Sequence, residues 1–181
     1  MIKIKPSKNA DSRSAVGVVT KEDLLKNSVQ HIGDVQKAMG WFAARIIEAG
    51  VNHDHTKISG IDSFHDGVAR GLTGDAFKSE PWYQSHMSER HHLNDSCPDD
   101  VTIIDVIERI GDIVMAAKGR GGKLFDDTLS ADILQKAYAN TVNLLMSQVV
   151  VEEMEGTGAP LPREPIRDTM PPCERLKCLY A

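Results

Sequence analysis

The chain has 181 residues, 41% of them apolar and 26% charged, and a formal net charge of -5 at pH 7. That length suits one domain burying roughly 70% of its unfolded surface. The acidic balance, with no Lys/Arg stripe, excludes sequence-independent binding to nucleic acid.

No run of about 18 apolar residues offers a membrane span. Cys97, Cys173 and Cys178 are too few, and odd in number, for a disulfide framework. Residues 1–19 read as an irregular or strand-like leader. Met1-Ile2-Lys3-Ile4-Lys5 lacks the apolar stretch of a secretory signal, so a cytoplasmic location is expected.

Thr20 followed by Asp23 has the form of a helix cap with an acidic first turn. Apolar residues then recur at Leu24, Val35, Met39, Phe42 and Ile46, close to the 3.6-residue period, up to a closing Gly50. His31 falls on that stripe and is expected to point inward, either as a metal ligand or as a core histidine bonded to a carbonyl. A second helix is expected near His53-Asp54-His55-Thr56-Lys57, and short helix plus loop from Gly60 to Pro81.

Trp82 to His92 reads as one helix. His86 and His92 would then lie about 120° apart on it, so a break is needed if they are to converge. Pro98, Asp99 and Asp100 are expected to open a helix over 98–118. On it, Asp105, Glu108 and Asp112 share a sector of roughly 60° opposite an apolar side. A wetted acidic face is the plain alternative to a ligand-bearing one. Ser130 is expected to cap a last long helix running through Val149-Val150-Val151 to Gly156. The tail, 156–181, contains Pro160, Pro162, Pro165, Pro171 and Pro172 and cannot be a continuous helix. It is expected to pack on the body or on a neighbouring subunit of a homo-oligomer.

All seven histidines lie between His31 and His92, around the adjacent pair His53-Asp54. A neutral imidazole beside a carboxylate is half of a coordination sphere for a divalent transition metal. His31, His86, His91, His92, Asp105 and Asp112 are the candidates to complete it. Asp105 and Asp112 are about 10.5 Å apart along a helix, so one ion takes one or the other. His55 and His65 read as surface residues.

In this order the residues resemble the HD-domain superfamily, all-helical metal-dependent phosphohydrolases named for the adjacent His-Asp. His53-Asp54-x-x-Lys57 is similar to the central motif, His31 to the upstream histidine, and Asp112, followed by small Ala116, to the closing Asp. The stretch from His91-His92-Leu93-Asn94 through Asp105-x-x-Glu108 to Asp112 and Arg120 resembles small phage and prophage HD-like proteins. The resemblance implies an HD-like helical bundle over 20–155, located in the host cytoplasm if phage-encoded. His86 and His92 resemble the extra pair of HD proteins that hold two ions. The cofactor expected is Mn, Fe, Co, Ni or Zn, as one ion or two.

The chemistry implied is hydrolysis of a nucleotide-like phosphate ester or anhydride. Lys57 would contact the phosphate, Glu108 or Glu89 would act as general base, and Arg120 would clamp the phosphate. A solvated helix-end cation is the alternative for Arg120. Two other functions stay open: a diiron HD oxygenase, and an HD-like binding or regulatory module without turnover.

Overall fold

The computed structural model describes residues 1–6, 19–124 and 127–152. These residues are mostly helical. They form α1 (Lys21–Asn52), α2 (His55–Ser59), α3 (Ile61–Ala69), α4 (Gly74–Lys78), α5 (Pro81–Met87), α6 (Ile103–Gly119) and α7 (Ala131–Gln148). A two-stranded parallel sheet joins β1 (Ile2–Ile4) to β2 (Val149–Val151), with Ile2 opposite Val149. No helix among the described residues is long and apolar enough to cross a membrane.

Local chemistry sets most of the helix ends. Thr20 caps α1, its hydroxyl oxygen accepting from the Asp23 N–H at 3.1 Å. Ser130 caps α7 through the Ile133 N–H. The expected opening of the sixth helix at Pro98 is corrected. Val101 N–H bonds back to the Pro98 carbonyl in a turn, and α6 starts after Thr102. Asp105 accepts there from the Thr102 N–H at 2.6 Å and from its hydroxyl at 2.8 Å.

Two further expectations are corrected. The last helix stops at Gln148, because Val149–Val151 pairs with the N-terminal strand instead of continuing the helical stripe. Trp82 to His92 is not one helix, since α5 ends at Met87 and His91 and His92 lie on the turns that follow. Residues 7–18 of the leader, the tail 156–181, and with it Cys173 and Cys178, lie outside the described residues.

α6 packs between α1 and α7. The apolar core is small: Leu93, Val101, Val106 and Ala137, with Cys97, Ile103, Leu129 and Ile133 against it. Trp82 stacks on Phe64 at 4.2 Å and meets Phe77 edge-on at 5.2 Å, which fastens α5 to α3 and α4. Gly67 makes room for this group, since a Cβ there would lie 3.3 Å from Trp82 Nε1.

Among the described residues, as many polar side chains are buried as apolar ones. His86, Glu89, His91, Thr102, Asp105, Arg109 and Thr141 match seven apolar residues. Polar groups at that density need partners. The acidic side of α6 is correspondingly the inner one, while Ile107, Ile110 and Val114 on its other side are 39%, 52% and 38% exposed.

Candidate metal centre

The His-Asp pair sits where α1 ends. His53 caps the helix, and Asp54 then takes a left-handed conformation, φ 56° and ψ 22°. Asp tolerates that region better than most residues, though at a cost. Glu89 holds the turn from the other side. Its carboxylate accepts the Asp54 N–H and the Thr56 N–H, each at 3.0 Å, and the Thr56 hydroxyl. Lys57 Nζ, one turn further on, donates to Asp54 Oδ2 at 2.6 Å.

From α6, Glu108 and Asp112 face this turn. Glu108 Oε1 lies 3.0 Å from His53 Nδ1 and 3.1 Å from His91 Nδ1. A carboxylate at both Nδ1 atoms favours the tautomer that keeps a proton there and turns Nε2 outward as a lone pair. His53 Nε2 accordingly faces carboxylates, 3.6 Å from Asp54 Oδ2 and 3.7 Å from Asp112 Oδ1. His91 Nε2 lies 3.7 Å and His86 Nδ1 3.4 Å from Asp54 Oδ1. His92 Nε2 is 3.0 Å from His86 Nε2.

Several of these atoms are buried and lack a well-aligned hydrogen bond: Asp54 Oδ1, His86 Nδ1, and both ring nitrogens of His91. An unpartnered buried polar atom costs about 1–3 kcal/mol. Asp54 Oδ1, His86 Nδ1 and His91 Nε2 lie around one point and ask for a common partner, while His91 Nδ1 faces Glu108. A cation with bonds of about 2.1 Å would hold neighbouring ligand atoms roughly 3.0–3.4 Å apart. The His–carboxylate spacings of 3.4–3.7 Å between His53, His86 or His91 and Asp54 or Asp112 lie within a few tenths of an ångström of that.

Three overlapping sets have ligand atoms within 4.8 Å of one another: His53, His91 and Asp112; Asp54, His91 and His92; and Asp54, His86 and Glu89. Asp54 and His91 each belong to two. Glu89 is the weakest donor, because its oxygens already hold the turn. Imidazole with carboxylate suits transition ions better than magnesium or calcium.

The electrostatics fit a site that attracts a cation. Burial and the neighbouring imidazoles of His91 and His86 push His92 down to about 4, so its ring is neutral at pH 7. Burial and Lys57 also lower His86, against the pull of Asp54 and Glu89. His91 goes the other way: burial pushes it down, but Glu108, Asp112 and Asp54 outweigh that and raise it. Burial pushes the Asp54 carboxyl up, yet Lys57, His53 and His86 together hold it below the usual range. Glu108 is held down likewise by His91 and His53 against burial.

Not every expected site residue arrives here. His31 is exposed on α1, which has no buried residue, and it joins none of the three sets. The inward stripe expected around it is corrected, because Leu24, Val35, Met39 and Ile46 are 38%, 46%, 60% and 37% exposed. Asp105 is buried away from the sets as the α6 cap, and its carboxylate also takes Arg90 at 2.7 and 3.0 Å. Of the two aspartates, Asp112 is the one that faces the histidines.

Of the two glutamates expected as general bases, Glu108 contacts the His53 and His91 rings and Glu89 holds the Asp54 turn. Arg120 is exposed at the α6 C-cap, roughly 12 Å along the helix from Asp112. His55 and His65 are exposed.

One positioning residue escaped sequence reasoning. Arg109 is buried and donates to the His91 carbonyl at 3.1 Å while pairing with Asp127. It fastens the histidine-bearing turn to α6. The signal available was a basic residue inside the acidic and apolar run 103–117 of α6.

Beside the centre an open cleft of about 930 Å³ runs between α1, α5, α6 and α7. Trp41, Arg45, Asn140 and Asn143 line it, and it reaches the cluster at Thr56, Glu89 and Glu108.

No protein-family model, curated protein or solved structure matches this chain.

Proposed function

We propose that the chain is a metal-dependent phosphohydrolase acting on a nucleotide-like phosphate ester or anhydride, built on an HD-like arrangement in which His31 takes no part. The observation that carries the reading is the convergence of the unpartnered ligand atoms of Asp54, His86 and His91 beside a lysine. His53, Asp54, His91 and Asp112, with His86 and His92, would hold one divalent transition ion or two. When bound, such an ion supplies water activation at neutral pH and neutralises charge on a phosphoryl group.

The chain's own residues do the rest. Glu108 fixes the His53 and His91 rings so that lone pairs, not N–H groups, face the centre. Lys57, 34% exposed, offers an ammonium at the mouth for a non-bridging phosphate oxygen. Three donors let it keep Asp54 while taking a phosphate. In a chain of net charge -5, this local positive charge is what draws an anion in.

The adjoining cleft falls within the roughly 300–1,000 Å³ of small-molecule sites. The Trp41 ring and the Arg45 guanidinium, 5.6 Å apart, are chemically suited to a base and a phosphate.

The test is metal analysis of protein purified without added metal, followed by a panel of nucleoside mono-, di- and triphosphates, linear and cyclic. Release of phosphate or pyrophosphate, dependent on Mn, Co or another divalent ion, is expected. No turnover with any ion would sink the hydrolase reading. Oxygen consumption by iron-loaded protein would replace it with the diiron oxygenase.

A further inference from the structure

The cleft beside the metal centre is longer than a mononucleotide. On α1, Trp41, Arg45, Ala49 and Asn52 line it, at steps of four, four and three residues that keep them on one side of the helix. Trp41 lies about 18 Å along the helix axis from His53. An extended covalent chain advances about 1.2 Å per bond. A nucleoside monophosphate, about nine bonds from phosphorus to the far edge of its base, therefore spans about 11 Å. With its phosphate at the centre, its base stops short of the Trp41 ring. A second nucleotide adds about six bonds, or about 7 Å, which carries the next base to about 18 Å.

Charge limits what can cross that distance. Arg90 is committed to Asp105 at 2.7 and 3.0 Å and to Asp100 at 2.9 Å. Glu89 and Glu108 add carboxylates at the inner end of the cleft. Arg45 is different. Its ion pair, to Glu48 at 2.6 Å, joins side chains that are 47% and 57% exposed, and a pair so exposed is worth little. It can turn to a phosphate at small cost. Arg45 stands about 12 Å along the axis from His53. Its side chain, about 6 Å long, reaches a phosphate about 7 Å from the one at the centre.

The cleft thus meets one internal phosphate, not a chain of them. A polyphosphate or a long strand would set further negative charge against its carboxylates. Ala49, Ile104 and Leu144 give the wall apolar surface, which suits an uncharged sugar and base.

We infer that the substrate is a dinucleotide bearing a terminal phosphate. The terminal phosphate sits at the metal centre, the internal phosphodiester at Arg45, and the second base on Trp41. The first of these placements rests on the hydrolase reading above. Water oxygen bonds to the terminal phosphorus as the ester bond from that phosphorus to the sugar oxygen breaks. One water proton goes to that sugar oxygen, and the products are inorganic phosphate and the unphosphorylated dinucleotide. Stacking on an indole tolerates any base, so the cleft selects by length and charge instead of by sequence.

The test uses the full-length protein with four probes: adenosine monophosphate, the phosphorylated adenosine dinucleotide and pentanucleotide, and ATP. The first three are supplied with the phosphate at the 5′ or the 3′ end, and the better polarity is compared. Phosphate release by the metal-loaded protein gives kcat/KM. Quenching of tryptophan fluorescence in the metal-free protein gives affinity without turnover, and Trp41→Phe shows how much of the signal comes from Trp82.

The dinucleotide is expected to exceed the monophosphate at least tenfold in both measurements. The pentanucleotide should gain nothing further, and ATP should fall below the dinucleotide. Trp41→Leu should bring the ratio of dinucleotide to monophosphate within about threefold of one, and Arg45→Gln should lower the same ratio. Trp41→Phe should keep most of it, which separates a stacking role from a structural one. A monophosphate handled as well as the dinucleotide, or affinity that climbs steadily with strand length, would overturn the inference and leave the hydrolase reading standing. No turnover of any probe, with the dinucleotide still bound at least tenfold more tightly, would remove the hydrolase and keep the cleft as a dinucleotide site.

Discussion

His53 Nδ1 lies 3.0 Å from Glu108 Oε1 across 55 positions of sequence, and the same carboxylate oxygen stands 3.1 Å from His91 Nδ1. One acidic side chain thus sets the direction of two imidazoles. Glu108→Gln is expected to lower metal affinity about 10–100-fold without removing a ligand, because an amide oxygen holds the N–H groups less firmly. His53→Ala and Asp54→Ala should abolish binding almost entirely. Competition against a chromophoric chelator reads all three, and a Glu108→Gln affinity equal to wild type would reject the orienting role.

Asp105 and Asp112 separate by what each loss does. Asp112→Asn should reduce metal content while leaving the melting temperature of the metal-free protein nearly unchanged. Asp105→Asn should keep the metal but destabilise the fold, by about 0.5–2 kcal/mol for the cap alone and more for its half-buried pairing with Arg90. Elemental analysis beside urea unfolding decides. The reverse pattern would exchange the roles.

How much of this could be read in advance depended on how local the cause was. The cap at Thr20 and the helix it opens follow from neighbouring residues, and the sequence displays them. The strand Val149–Val151 did not show, because its partner Ile2–Ile4 lies at the far end of the chain. His31 was misplaced for a related reason. Periodicity reveals an apolar row but not which side of a helix meets the body, and α1 turns much of its apolar surface outward. The convergence of His86 with His91 and His92 needed the helix break after Met87, which no proline or glycine announces at that point.

The metal-free protein should show a pH signature from His92. Its ordinary value is 6.5 and the fold lowers it to about 4, so between those values the unfolded chain binds the proton and the folded chain does not. Stability from this residue is therefore lost as pH falls through that window and regained as it rises. His91, raised by its carboxylates, opposes the trend in the whole protein, so the comparison with His92→Asn isolates the effect. Urea midpoints from pH 4.5 to 7.5 should rise less steeply in the variant. Parallel curves would mean that the fold does not depress His92.

Lys57 separates binding the ion from acting on the substrate. Its ammonium cannot ligate a cation while charged, and it touches the centre through Asp54 Oδ2. Lys57→Ala should therefore leave metal content within a few-fold of wild type, since losing the neighbouring positive charge removes a competitor for the Asp54 carboxylate. Phosphate release should nevertheless fall about 10²–10³-fold, the range for removing one donor to developing charge in a sheltered site. Lys57→Arg should recover part of it, since a planar guanidinium keeps the charge but not the compact geometry of the ammonium. Steady-state rates per bound metal ion make the comparison fair. Equal rates in wild type and Lys57→Ala at full metal loading would remove Lys57 from the reaction and leave it as a buttress of the Asp54 turn.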